Sequence, residues 1–201
     1  MANQSGQLYG LTILSPIINN GSRAASQDLA LRQHLATLGN GIHSLFARVP
    51  GTHFARLVVM NDVVFVGHPS RIDHLGSQYL VFTADFDVAV DLNTYLRTMA
   101  QTIPADLDQI WKHCVGYPGA ADPAKFAAYM KKCQVTTTFY FADVNDKTRD
   151  QTLKALQAKT ELSKFVEANQ GRPPDELQSA FRDFLAKLNS TPPPAPGASH
   201  V

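Results

Sequence analysis

The chain has 201 residues and 44% of them are hydrophobic, which fits one core-forming domain with appendages and speaks against disorder throughout. Lysine and arginine number 18 against 17 acids, so the concentrated basic excess of a nucleic-acid-binding protein is missing. No apolar run approaches the roughly 20 residues of a membrane helix, the opening MANQSGQLYG has no secretory-signal pattern, and Cys114 and Cys133 make neither a disulfide framework nor a CxxC pair. A cytoplasmic protein without a membrane span or a nucleic-acid partner is expected.

Residues 1–8 read as a flexible lead-in. Tyr9–Ile17 is a short apolar run closed by Pro16, and predicts the first strand. After a loop at Asn19–Ser22, Ser26 is placed to cap a helix whose Leu31, Leu35 and Leu38 recur at helical spacing. His53–Met60 predicts the second strand, with Phe54, Val58 and Met60 on one face and Ala55, Leu57 and Val59 on the other. Such a strand needs cover on both sides. A loop through Gly67, Pro69 and Gly76 leads to the third strand, Tyr79–Phe86.

Leu92, Tyr95, Leu96 and Met99 mark a helix that Pro104 ends or restarts, and Leu107, Ile110, Trp111 and Cys114 carry the stripe into the breaker GYPG. Asp122-Pro123 opens a further helix, and Val135–Phe141 predicts the fourth strand. The order β-α-β-β-α-β over residues 9–144 is that of an α+β, ferredoxin-like domain with an antiparallel sheet. Four strands with helices on one side leave a sheet face bare, and here that face is apolar. The expectation is a homodimer packed sheet to sheet, or else cover from the chain's own C-terminal helices. Residues 145–190 form that helical extension, with Leu177, Phe181, Phe184, Leu185 and Leu188 giving an amphipathic stripe. Residues 191–201, TPPPAPGASHV, read as a disordered tail.

Several polar residues stand where the pattern wants apolar ones. Arg56 interrupts a strand face, and burial would require a partner such as Asp85 or Asp87. Unpaired, it could instead hold a carboxylate or another anion in a pocket. His113 sits among Trp111, Cys114 and Tyr117, a composition suited to a base or an axial haem ligand, or simply to a core with a solvent-side histidine. His53 is the second catalytic candidate, and Tyr140 could reach a pocket from the fourth strand. No metal-ligand spacing, P-loop, GxGxxG or GxSxG motif is present.

The strings HFARLVVMND, YLVFTADFD and LDQIWKHCVGYPG together resemble a little-characterised family of dimeric α/β-barrel proteins of ferredoxin-like type. The match runs from His53 to Phe141. Ala84-Asp85-Phe86-Asp87 stands where that family has a serine–asparagine–aromatic–aspartate motif, so the serine and asparagine are replaced. The resemblance implies the fold, and its wider superfamily includes haem-dependent peroxidases, haem-degrading monooxygenases and small binding proteins. Two functions are therefore expected in competition. One is a small-ligand or haem pocket with Arg56 on a carboxylate and His113 or His53 as ligand or base. The other is a non-catalytic dimeric protein that docks a partner through its C-terminal amphipathic helices.

Overall fold

A computed structural model describes residues 3–19, 26–63, 68 and 73–198. The loops expected at 19–22 and 63–78 fall partly outside those residues. The architecture is α+β, with one open antiparallel sheet of four strands and six helices among the described residues.

The strands are β1 (Gln4–Ser5), β2 (Leu8–Pro16), β3 (Thr52–Val63) and β4 (Asp73–Asp87), in the order β1-β2-β4-β3. β2 and β4 pair without a break from Leu8↔Asp87 to Pro16↔Tyr79. β3 pairs with the other side of β4 and carries irregularities at Thr52/Phe54 and Met60/Asp62. Alternation decides which side chains enter the core. Leu11 and Ile13 of β2, Ile17 just past its end, and Leu80, Phe82, Ala84 and Phe86 of β4 are buried on one face.

Helices α1 (Gln27–Leu35), α2 (Leu92–Thr102), α3 (Pro104–Trp111) and α4 (Pro123–Lys132) cover that face. Their boundaries follow local chemistry. Asp91 caps α2 by accepting from the Asn93 and Thr94 amides, and Asp122 caps α4 in the same way ahead of Pro123. The core closes on aromatic rings. Trp111 meets Phe82 edge-on at 5.5 Å and Phe126 at 6.5 Å, and all three are fully buried.

Two expectations change. Val135–Phe141 is not a strand. Its start bonds to β2 through the Gln134↔Ile13 bridge and the bonds from the Leu14 amide to the Cys133 carbonyl and from the Val135 amide to the Thr12 carbonyl, but no ladder continues from there. Beyond that point the edge of β2 is taken by β1, which pairs Ser5 with Leu8 and Gln4 with Tyr9. The N-terminal residues expected as a flexible lead-in thus occupy the place of a fourth strand, and the Thr137 amide donates to the Asn3 side chain instead of a ladder. The strand order is compatible with a ferredoxin-like plan.

Helices α5 (Arg149–Ala168) and α6 (Pro174–Ser190) follow. A capping box between Thr148 and Gln151 starts α5. Neither helix has a buried residue, so they form an appended hairpin and not a layer of the core. The expected alternative, cover of the bare face by the C-terminal helices, is not seen at Phe54, which is 71% exposed on that face. The proline-rich tail has no helix or strand through Ala198, and its Gly197 lies against Gly41.

Trp111→Ala empties the centre of this core. Urea unfolding followed by circular dichroism is expected to show a loss of about 3–5 kcal/mol, with helix content retained in the absence of urea.

Candidate functional site

The segment Trp111–Gly119 joins α3 to α4 beneath the end of β2. The Trp111 indole Nε1 donates to Ser15 Oγ at 3.2 Å, a buried bond that fixes the ring in the core. Cys114 is 2% exposed, and burial pushes its thiol up to about 12, so it is held as a thiol and not a nucleophile. The Tyr117 hydroxyl donates to Asp108 Oδ1 at 2.8 Å, and the Ala120 amide donates to the same oxygen. Burial and that acceptor together push the phenol well above its usual range.

His113 is buried, with Nδ1 at 2.6 Å from Gln27 Oε1 and its carbonyl accepting from the Ile18 amide. Burial, with Lys112 and His34 nearby, lowers its proton affinity, so the neutral ring is favoured. These four residues tie α1, α3 and β2 together. None faces an open cavity with Arg56.

His53 lies at the opposite end of the sheet. Its Nε2 is 2.8 Å from Asp87 Oδ1, and the same oxygen accepts from the Arg149 amide at 3.0 Å. Arg149 also donates through Nη1 to the Val49 carbonyl. Asp87 therefore ties the end of β4 to the start of β3 and to the first residue of α5. Beside it, Tyr95 stacks on Phe86 with ring centroids 3.9 Å apart and shares a 2.9 Å hydrogen bond with Thr52; burial pushes its phenol up to about 12. His53 sits level with the start of β2 and His113 bonds Ile18, two residues past its end, so roughly 30 Å of strand separates them. The two candidate catalytic histidines do not share a site.

Arg56, Asp85 and Tyr140 fall in a third place, the face of the sheet away from α1–α4. Phe54, Arg56 and Val58 of β3 are exposed there, beside Thr83 and Asp85 of β4. Phe54, Arg56, Thr83 and Asp85 line a shallow hollow of about 440 Å³. Arg56 was expected to pair with Asp85 or Asp87, yet among the described residues it makes no ion pair. The reason is position: Arg56 is exposed on an edge strand, and Asp87 is already taken by His53 and Arg149.

Asp85 is half-buried, and that burial raises its pKa, with Tyr140 and His53 partly opposing the shift. The Tyr140 hydroxyl is buried and approaches the carboxylate without completing a hydrogen bond. Its ring lies over Gly10, where any Cβ would stand 2.9 Å from two ring carbons. Glycine is required at that contact.

A fourth feature is the groove of about 590 Å³ between α5 and α6, lined by Leu162, Phe165, Val166, Leu177 and Phe181 among others. Phe165 packs on Phe184 at 4.9 Å and on Phe181 at 5.8 Å, which holds the two helices together. Lys154 ties α5 to the end of α6 through the Leu188 and Thr191 carbonyls. No helix among the described residues is long and apolar enough to cross a membrane, and no group of His, Cys, Asp and Glu among them is placed to hold a metal. No family model, curated protein or solved structure matches the chain.

Sequence patterns did not disclose Arg149, Thr52 or Tyr95 as partners in the Asp87 cluster. The Thr148–Gln151 capping box was a readable signal for the start of α5, but nothing local tells that Arg149 reaches Val49.

The lowered proton affinity of His113 has a sign that can be checked. As pH falls below the ordinary histidine value of 6.5, the unfolded chain takes up a proton that the folded chain resists. Stability is therefore present above that pH and is lost below it. Urea midpoints measured from about pH 7 to pH 5 are expected to fall, and His113→Gln is expected to flatten the slope.

Proposed function

We propose that the protein is a non-catalytic, homodimeric interaction module: the open sheet face joins two copies, and the α5–α6 hairpin carries an apolar groove for a partner helix. The observation that carries this reading is the bare face itself. Phe54 is 71% and Val58 44% exposed on a sheet whose other face is packed under four helices. Contiguous apolar surface of this kind normally marks an interface. A ferredoxin-like sheet stacked on a second copy buries the face without any further element, in the manner that the sequence resemblance implies.

The residues that suggested an enzyme support the same reading. Trp111, Cys114 and Tyr117 are engaged in core contacts, His113 is held by Gln27, and His53 is held by Asp87. A haem or carboxylate pocket would need Arg56 and a free histidine around one cavity, and Arg56 faces away from His113 across the sheet. The hairpin suits docking because the exposed Leu162, Val166, Leu177 and Phe181 border one groove. A helix with an apolar stripe at i, i+3, i+4 and i+7 fills such a groove.

Sedimentation equilibrium of the full chain is expected to give twice the 22.0 kDa chain mass. Val58→Asp is expected to give the single-chain mass with an unchanged circular dichroism spectrum. Leu177→Ser with Phe181→Ser is expected to leave the dimer intact. A wild-type monomer at tens of micromolar would contradict the reading.

A further inference from the structure

Two charges on the bare face have no ion-pair partner among the described residues. Arg56 on β3 is exposed, and Asp85 on β4 is half-buried. Register fixes their relation. Arg56 pairs with Thr83, and Asp85 pairs with Phe54, so the two charges stand diagonally across the β3–β4 ladder. Strands about 4.8 Å apart and a two-residue step of about 6.8 Å put that diagonal near 8 Å.

An isologous interface brings residue i of one copy against residue j of the other, and j against i. A two-fold axis lying between two such sheets, at right angles to the diagonal, exchanges the positions of Arg56 and Asp85. On the same grid that axis runs within about 2 Å of Phe54 and Thr83. Phe54, 71% exposed in the single chain, then meets its own copy at the centre of the interface.

We propose that the dimer is set in register by two symmetric ion pairs, Arg56 of each copy on Asp85 of the other, flanking a Phe54–Phe54 contact. This rests on the dimeric reading above and adds its geometry. It accounts for a cation and an anion kept on a face beside the exposed Phe54 and Val58. Each is a cost to a face buried against uncharged surface and a gain only when the opposite charge arrives with the second copy. Asp85 is the more costly of the two, because its own chain already withdraws it from water behind Tyr140. A charged pair of this kind also rejects other registers, in which Arg56 would face Val58 or its own copy.

Charge exchange tests the pairing. Arg56→Glu and Asp85→Lys each place like charges opposite one another twice, and each is expected to weaken the dimer at least about tenfold in sedimentation equilibrium. An equimolar mixture of the two variants restores both attractions, and so does the double variant. Native mass spectrometry of the mixture is expected to show the mixed dimer dominating both homodimers. If the wild type is a dimer that Val58→Asp breaks, while neither charge variant weakens it or the mixture shows no preference, the ion pairs are wrong and the dimer reading stands. If the wild type is monomeric, both fall. Where a single variant fails to fold, the charge-balanced double variant decides: a dissociated double variant overturns the pairing.

Discussion

A sheet has two faces, and this chain covers one of them. Leu11, Ile13, Leu80, Phe82 and Phe86 are sealed beneath α1–α4, while Phe54 and Val58 on the other side stand in water. The remaining architecture answers to that asymmetry. The helices α1–α4 are used up on the first face, the segment after α4 runs along the β1–β2 edge without adding a strand, and α5 and α6 pack on each other. The chain is stable enough to hold one core through Trp111 and its ring neighbours. Its second face leaves Phe54 and Val58 exposed in the single chain.

The polar residues divide along the same line. At one end of the sheet Asp87 gathers His53 and the first turn of α5, and so fixes where the hairpin leaves the domain. At the other end His113 and Gln27 join α3 to α1. Both clusters are internally paired and structural. Arg56 and Asp85, on the open face, are the exceptions: among the described residues neither forms an ion pair.

Alternation in His53–Met60 disclosed both faces of β3 correctly, because a two-residue period is a local property that burial must respect. The helix start at Asp122 was equally legible, since caps act within one turn. What failed was non-local. Val135–Phe141 is rich in β-branched and aromatic residues and reads as a strand, but the edge it would occupy is held by Gln4–Ser5, which lies more than a hundred residues away in sequence. Arg56 looked buried because its neighbours are apolar, and its exposure follows from β3 being an edge strand with a bare face. Trp111, His113, Cys114 and Tyr117 looked reactive together, yet their spacing along a helix end and turn sends them into packing. Composition names what a residue can do, and burial decides whether it does.

The central claim is that two bare faces meet around Phe54. Phe54→Cys, in a background with Cys114 and Cys133 replaced by Ala, tests this directly by oxidation at low micromolar concentration, with Leu185→Cys on the exposed face of α6 as the control. The account predicts rapid and near-complete disulfide-linked dimer at position 54 and little at 185. Equal, slow cross-linking at both positions would contradict it.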